Sequence, residues 1–264
     1  MTRSRVLETA TVSLVTGGNR GIGREVCRQL AERGHSVVLT GRSAAAAAAA
    51  ARAVGAEPLR LDVTDPASVA DAARWVGERY GRLDVLVNNA AITYDTWQRA
   101  ITADLAVVRE AAETNLYGPW LMVQEFLPLL RRSSHPRIVN VSSEAGSLTS
   151  MGGGTPAYTA SKTALNALTR MFAAELRPDR ILVNAVCPGW MLTWAAQAAV
   201  RSRTARPAWS GPRHCRTPVP PAASSATAIR FPGYRHPTVN SPTPPPLPAS
   251  RGRTFPIRPG SRPC

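Results

Sequence analysis

Short, β-branched apolar runs alternate with longer helical stretches between residues 12 and 186. Segments 12–16, 37–40, 58–61, 85–87, 138–141 and 181–186 read as strands. Continuous apolar runs of this kind suit a parallel sheet buried on both faces. The stretches between them read as helices. One follows a glycine turn and runs to about Arg33. The alanine run at 44–51 forms the next, with Ser43 as its cap, because alanine is the best helix former. Asp65-Pro66 opens a third, closed by Gly81. A long helix covers 106–130, and another begins at Thr155-Pro156, where Thr155 can cap and Pro156 suits the first turn. Strands alternating with helices predict an α/β fold with a doubly wound parallel sheet.

The pattern stops near residue 193. From Trp194 onward the chain is Arg, Pro, Ala, Ser and Thr without periodicity, and no Asp or Glu occurs after Asp179. The net charge of +15 therefore belongs mostly to the tail, which argues against reading the whole chain as a nucleic-acid binder. Two segments are predicted: a core over 1–193 and an Arg/Pro-rich tail over 194–264. The tail is expected to be disordered, since it lacks the apolar surface to offset ordering entropy. Its proline run at 242–248 could form polyproline II and bind a partner, and its arginines could bind nucleic acid or acidic surfaces. The bland alternative is a solvated, unselected tail. Cys27, Cys187, Cys215 and Cys264 form no Cys-x-x-Cys pair, so no metal site or disulfide framework is indicated. No run approaches a membrane span, and the first residues lack a signal-peptide core, so a cytoplasmic protein is expected. Nothing in the sequence sets an oligomeric state.

Chemistry concentrates at the carboxyl ends of the strands, where open α/β sheets bind ligands. Gly17-Gly18-Asn19-Arg20-Gly21-Ile22-Gly23 joins the first strand to its helix. Glycines there let backbone N–H groups approach phosphate at a helix N-terminus. The spacing is Gly-x-x-x-Gly-x-Gly, not the usual dinucleotide fingerprint, and a plain tight turn would also explain it. The second strand ends in Arg42. An acid at that place hydrogen-bonds a ribose 2′-hydroxyl, whereas arginine suits a 2′-phosphate. With Arg20 nearby, the pair favours NADP(H) over NAD(H); the alternative is two solvated arginines. Ser142-Ser143 end the strand at 138–141. Tyr158 and Lys162, four apart on the following helix, share one face. A lysine ammonium lowers the pKa of a nearby phenol, so Tyr158 could exchange a substrate proton while Ser143 binds the same oxygen. Such a pair is usually an ordinary helix face. Lys162, however, is the only lysine in a chain that otherwise uses arginine. Asn115, a poor interior helix former, reads as a cap or kink residue.

Taken together these pieces resemble the short-chain dehydrogenase/reductase family. The matches are Thr16 through Gly23, Asp62, Asn88-Asn89-Ala90, Asn115, Ser143, Tyr158-x-x-x-Lys162 and Pro188-Gly189-x-x-x-Thr193. They cover residues 11–193, and the wording is most similar to the carbonyl-reductase group. The resemblance implies a Rossmann-type core and reversible hydride transfer between NADP(H) and a carbonyl or secondary alcohol. It implies Tyr158 as general acid, Lys162 lowering its pKa and binding the nicotinamide ribose, Ser143 orienting the carbonyl, and Asn115 holding a relay water. For the cofactor it implies the glycine turn (Gly17, Asn19, Arg20, Gly21, Ile22, Gly23) and Arg42. Asp62 and Val63 would flank the adenine, Asn89 and Ala90 line the cleft, Pro188 and Gly189 close it, and Thr193 meets the carboxamide. Ala91 departs from the family's usual glycine, and its methyl could crowd the cofactor.

After Thr193 the family continues with a substrate-covering segment and a seventh strand, which this sequence lacks. Carbonyl-reductase-like chains often continue Asp-Met-Gly-Gly-Pro. Encoded GAC ATG GGC GGC CCA G and read one base later, that stretch becomes Thr-Trp-Ala-Ala-Gln, the residues at 193–197. A frameshifted tail is therefore the expectation, with a sheet short of its last strand and a chain poorly soluble and weakly active or inactive. The competing reading is a cofactor-binding protein without catalysis, or one acting on nucleic acid or a partner through its tail.

Overall fold

The computed structural model describes residues 10–92 and 94–189. Its first half runs β1 (Val12–Val15), α1 (Gly21–Glu32), β2 (Ser36–Gly41), α2 (Ala44–Val54), β3 (Glu57–Arg60), α3 (Pro66–Tyr80) and β4 (Val85–Asn88). The second half runs α4 (Leu105–Ala112), α5 (Gly118–Leu130), β5 (Arg137–Val141), α6 (Pro156–Glu175) and β6 (Leu182–Val186). All pairings are parallel, and the strand order is β3-β2-β1-β4-β5-β6. The order reverses between β1 and β4, so a crevice opens at their carboxyl ends. This is the doubly wound, Rossmann-type sheet expected from the sequence.

Adjacent strand residues point to opposite faces, and both faces are apolar. Val15, Val37, Leu39, Val85, Val87 and Val141 pack beneath α1 and α2. Val12, Leu14, Val38, Leu86, Ile138 and Val183 pack beneath α3, α5 and α6. The alanine run is helix α2, and Ser43 Oγ accepts from Ala46 N–H as its cap. Ala47, Ala50 and Ala51 form its buried stripe, small enough to lie close on the sheet. Asp65 caps α3, and Gly81 ends it in the left-handed region at φ 73°.

Two local expectations need correction. The single helix at 106–130 is two helices, α4 and α5, joined by a π-helical turn at Glu113–Tyr117. Asn115 sits in that turn. Thr155 does not cap α6: it adopts φ 46°, ψ 49°, and its side chain makes no capping bond. The cap comes from elsewhere.

Among the described residues, β6 is an edge strand paired only with β5. On the α1/α2 side of the sheet, Leu182 is 49% exposed, Asn184 is exposed and Val186 is half-buried. That corner has no helix over it among the described residues. The expectations for 194–264, for Thr193 and for Cys215 and Cys264 fall outside the described residues. No described helix is long and apolar enough to cross a membrane.

Candidate active site

The glycine turn after β1 is fastened on two sides. Gly18 N–H donates to the Thr40 carbonyl at 2.8 Å, joining it to β2. Asn89 Nδ2 donates to the carbonyls of Thr16 (2.9 Å) and Gly17 (3.2 Å), joining it to the end of β4. Thr16 Oγ1 accepts from the N–H groups of Asn89 and Ala90. The glycines are required by this crowding. A Cβ on Gly23 would lie 2.4 Å from the Gly17 carbonyl oxygen and 2.5 Å from Asn89 Nδ2. Gly17 and Gly21 have φ of 62° and 56°, where side chains are strained. A Cβ on Gly21 would meet nothing within 4 Å, so the turn faces open space there. Helix α1 starts at this open place, with no acid in its first turn and no side chain capping it. An N-terminus left open in this way suits phosphate. Ile22 is half-buried beside it, and Arg20 and Arg42 are exposed. Asn19 lies over Gly41, within 3.3 Å of a Cβ placed there, so the turns bearing the two arginines adjoin.

The catalytic candidates converge at the carboxyl end of β5. Ser143 opens a short 3-10 turn (Glu144–Gly146), its Oγ accepting from Ala145 N–H at 3.2 Å. The same hydroxyl hydrogen-bonds the Tyr158 phenol. Lys162 is buried; its Nζ donates to the Val141 carbonyl at 2.7 Å and lies 5.7 Å from the centre of the Tyr158 ring. The spacing of four thus does place Tyr158 and Lys162 on one face, turned toward Ser143.

Asn115 is also here, wholly buried. Its Oδ1 accepts from Ile92 N–H, and its Nδ2 donates to the Ile92 carbonyl and to Ser161 Oγ. The side chain therefore fastens the loop after β4 to α6. The π-turn is what brings its amide to that loop, by shifting the backbone bonding register.

Other candidates do structural work. Asp62 Oδ1 accepts from Thr64 N–H and Oγ1, which holds the turn after β3. Val63 is buried against α5, where a Cβ on Gly118 would come within 2.8 Å of its Cγ2. Asn89 ties down the glycine turn, as described, and Ala90 and Ala91 are half-buried beside it. Pro188 and Gly189 follow β6, Gly189 at φ 72°. Sequence reasoning missed Tyr94, Asp95 and Ser161. For Asp95 the sequence shows only that α6 has no acid in its first turn; that Thr155 does not cap, so that a distant acceptor is needed, shows only in the fold.

The electrostatics differ from the simple phenol–ammonium picture. Burial raises the Tyr158 phenol above its ordinary value; the Ser143 hydrogen bond pulls it down, while Cys187 and Tyr94 push it up. Burial pushes Lys162 down to about 8. A lysine depressed in the fold holds its ammonium at a cost that is full below about pH 8. That cost disappears as pH rises toward the unfolded value near 10.5. The difference is on the order of 3 kcal/mol, less whatever the Val141 bond returns. Lys162→Met is therefore expected to raise the melting temperature at pH 7 and to flatten the rise in stability between pH 8 and 10.5. Thermal melts across that range check it; a variant that melts lower at pH 7 would show that the Val141 bond outweighs burial.

Comparison with known proteins agrees with this geometry. A family model described as short chain dehydrogenase matches residues 11–204. The (+)-neomenthol dehydrogenase of Arabidopsis thaliana is 34% identical over 252 residues, covering 70% of this chain and 84% of that protein. The NADPH-bound carbonyl reductase from chicken fatty liver is 33% identical with a TM-score of 0.63, over 69% of this chain and 80% of that one. The Pseudomonas aeruginosa RhlG/NADP complex is 32% identical with a TM-score of 0.64, over 73% and 79%.

Proposed function

The chain belongs to the short-chain dehydrogenase family of oxidoreductases, and on that premise we propose that it transfers a hydride between NADP(H) and a small carbonyl or secondary-alcohol substrate. The observation that carries this reading is the meeting of Ser143, Tyr158 and Lys162 at the end of β5, beside the open glycine turn. When bound, the nicotinamide cofactor supplies the redox chemistry. The chain supplies geometry and the proton. Tyr158 donates its phenolic proton to the substrate oxygen in reduction, and takes it back in oxidation. Ser143, already bonded to that phenol, donates to the same substrate oxygen. Lys162 remains mostly an ammonium at pH 7, and its positive charge favours the phenolate as the proton leaves. Asn115 spends its side chain on Ile92 and Ser161, so a relay water at this place would use its backbone carbonyl. A panel of aldehydes and ketones with NADPH, followed by loss of its absorbance, tests the reaction in the present chain and in one whose residues 194–264 are replaced by the alternative-frame sequence; no turnover with any member in either chain would overturn it.

The cofactor would lie with its phosphates over Gly17–Gly23 and its adenine end toward β2. Arg20 and Arg42 there are exposed and offer guanidinium groups to a 2′-phosphate. NADPH-bound and NADP-bound relatives support this preference. Arg42→Asp is expected to weaken NADPH binding by roughly 1.5–3 kcal/mol, about 10- to 150-fold, and to reverse the preference. Titrations of tryptophan fluorescence with NADPH and NADH measure it. Equal affinities in the parent chain would remove the argument.

A further inference from the structure

Helix α6 carries both Tyr158 and Lys162, yet it begins without a cap of its own. The need is met from the loop after β4. Asp95 is wholly buried, and its carboxylate accepts from Ala157 N–H at 2.9 Å and from Tyr158 N–H at 3.1 Å. Gln98 Nε2 donates to the same carboxylate at 3.2 Å, and Gln98 Oε1 accepts from Asp104 N–H, which ties the loop to the start of α4.

The same loop reaches Tyr158 by two further routes. The Tyr94 ring stands edge-on to the Tyr158 ring, with centroids 5.3 Å apart. Ile92 is clamped by Asn115, Asn115 donates to Ser161 Oγ, and Ser161 Oγ donates to the Tyr158 carbonyl at 2.8 Å. Tyr158 is thus held by its N–H, its C=O and its ring, from one short segment. Its N–H is among those that an α-helix leaves unpaired in its first turn, where helices fray. A carboxylate there makes charge-assisted bonds and meets the positive end of the helix dipole.

We propose that Asp95 is a positioning residue of the active site: its buried carboxylate fixes the first turn of α6 and so sets the Tyr158 phenol against Ser143. Proton transfer requires heavy atoms within about 2.6–3.2 Å, and a displacement near 1 Å costs on the order of 10²-fold in rate. The role rests on Tyr158 being the proton donor.

Asp95→Ala and Asp95→Asn, each in the full chain, test it by two readouts. The first is kcat and the KM for NADPH. The alanine variant is expected to lose about 10- to 100-fold in kcat with KM unchanged. The asparagine variant, which keeps the shape and one acceptor oxygen, is expected to recover most of that loss. The second readout needs no turnover. The chain has one lysine, so isotope-labelled lysine gives a single side-chain NMR signal that titrates with Lys162. Loosening the start of α6 admits water and moves that titration up from about 8 in the alanine variant, but not in the asparagine variant. Loss of the Asp95 charge alone would move it down in both. Equal loss of kcat in the two variants, a downward shift in both, or no change in either overturns the proposal. If neither the parent nor the chain with residues 194–264 replaced turns over, the reductase reading fails, and the lysine titration alone decides the role of Asp95. Should the alanine variant not fold, Asp95→Ser, with its shorter single acceptor, takes its place in both measurements.

Discussion

Tyr158→Phe is expected to lower turnover by about 10²- to 10⁴-fold while leaving NADPH affinity essentially unchanged. The substitution removes one oxygen and nothing else. The ring remains buried against Tyr94, Asp95 still caps the helix, and Lys162 still donates to the Val141 carbonyl. Ser143 keeps its bond from Ala145 N–H, so its hydroxyl stays in place at the substrate oxygen. What disappears is the phenol oxygen that Ser143 hydrogen-bonds, and with it the proton Tyr158 would give to the substrate. Phenylalanine also relieves the burial of a polar group, so the variant should fold at least as well as the parent. Melting temperature, NADPH titration and steady-state rates on the same preparation separate these effects. A variant that turns over at the parental rate would show that Tyr158 is not the acid, and the proton would then have to come from another group.

Much of this site was legible because its determinants are local. A spacing of four fixes a shared helix face whatever the tertiary context, so Tyr158 and Lys162 could be paired from sequence. Glycines crowded by backbone, as at Gly23, leave their mark in the sequence because no other residue fits. Strands β1, β2 and β4 were legible for the same reason, since they are buried on both faces and so are mostly apolar. The parts that were missed depend on distant partners. Asn115 reads as a kink residue, and only the folded chain shows its amide spanning Ile92 and Ser161. Thr155 has the right type for a cap but the wrong backbone, because Asp95 already occupies the N–H groups it would serve. The phenol's environment was misjudged because charge proximity can be guessed from spacing, whereas burial cannot. Here burial raises the phenol and lowers the lysine together.

Replacing residues 194–264 with the sequence of the alternative reading frame is expected to change this protein more than any point substitution outside the catalytic groups. The reason lies at the β6 edge. A parallel strand in a doubly wound sheet is normally covered on both faces. Among the described residues, β6 is covered by α6 on one face only, and its outer edge has no partner. On the open face Leu182 is 49% exposed, and Val139 and Val186 are half-buried. Completing the burial of these side chains is worth about 1 kcal/mol for Leu182 and about 0.5 kcal/mol for each valine, in proportion to the surface each still exposes. About 2 kcal/mol in a domain of this size corresponds to roughly 4–8 °C in melting temperature. That is a large share of the roughly 5–15 kcal/mol available to a folded domain. An exposed apolar edge is also a template for association, so soluble yield should rise with the replacement. Cover over the Ser143–Tyr158 site would exclude water from the reacting oxygen and raise turnover. The family match ends at residue 204, early in the segment that would be replaced. Side-by-side expression, thermal melts and reductase assays of the two chains measure all three effects. If the present chain is as soluble, melts as high and turns over as fast as the replaced one, the edge of β6 is adequately protected as it stands.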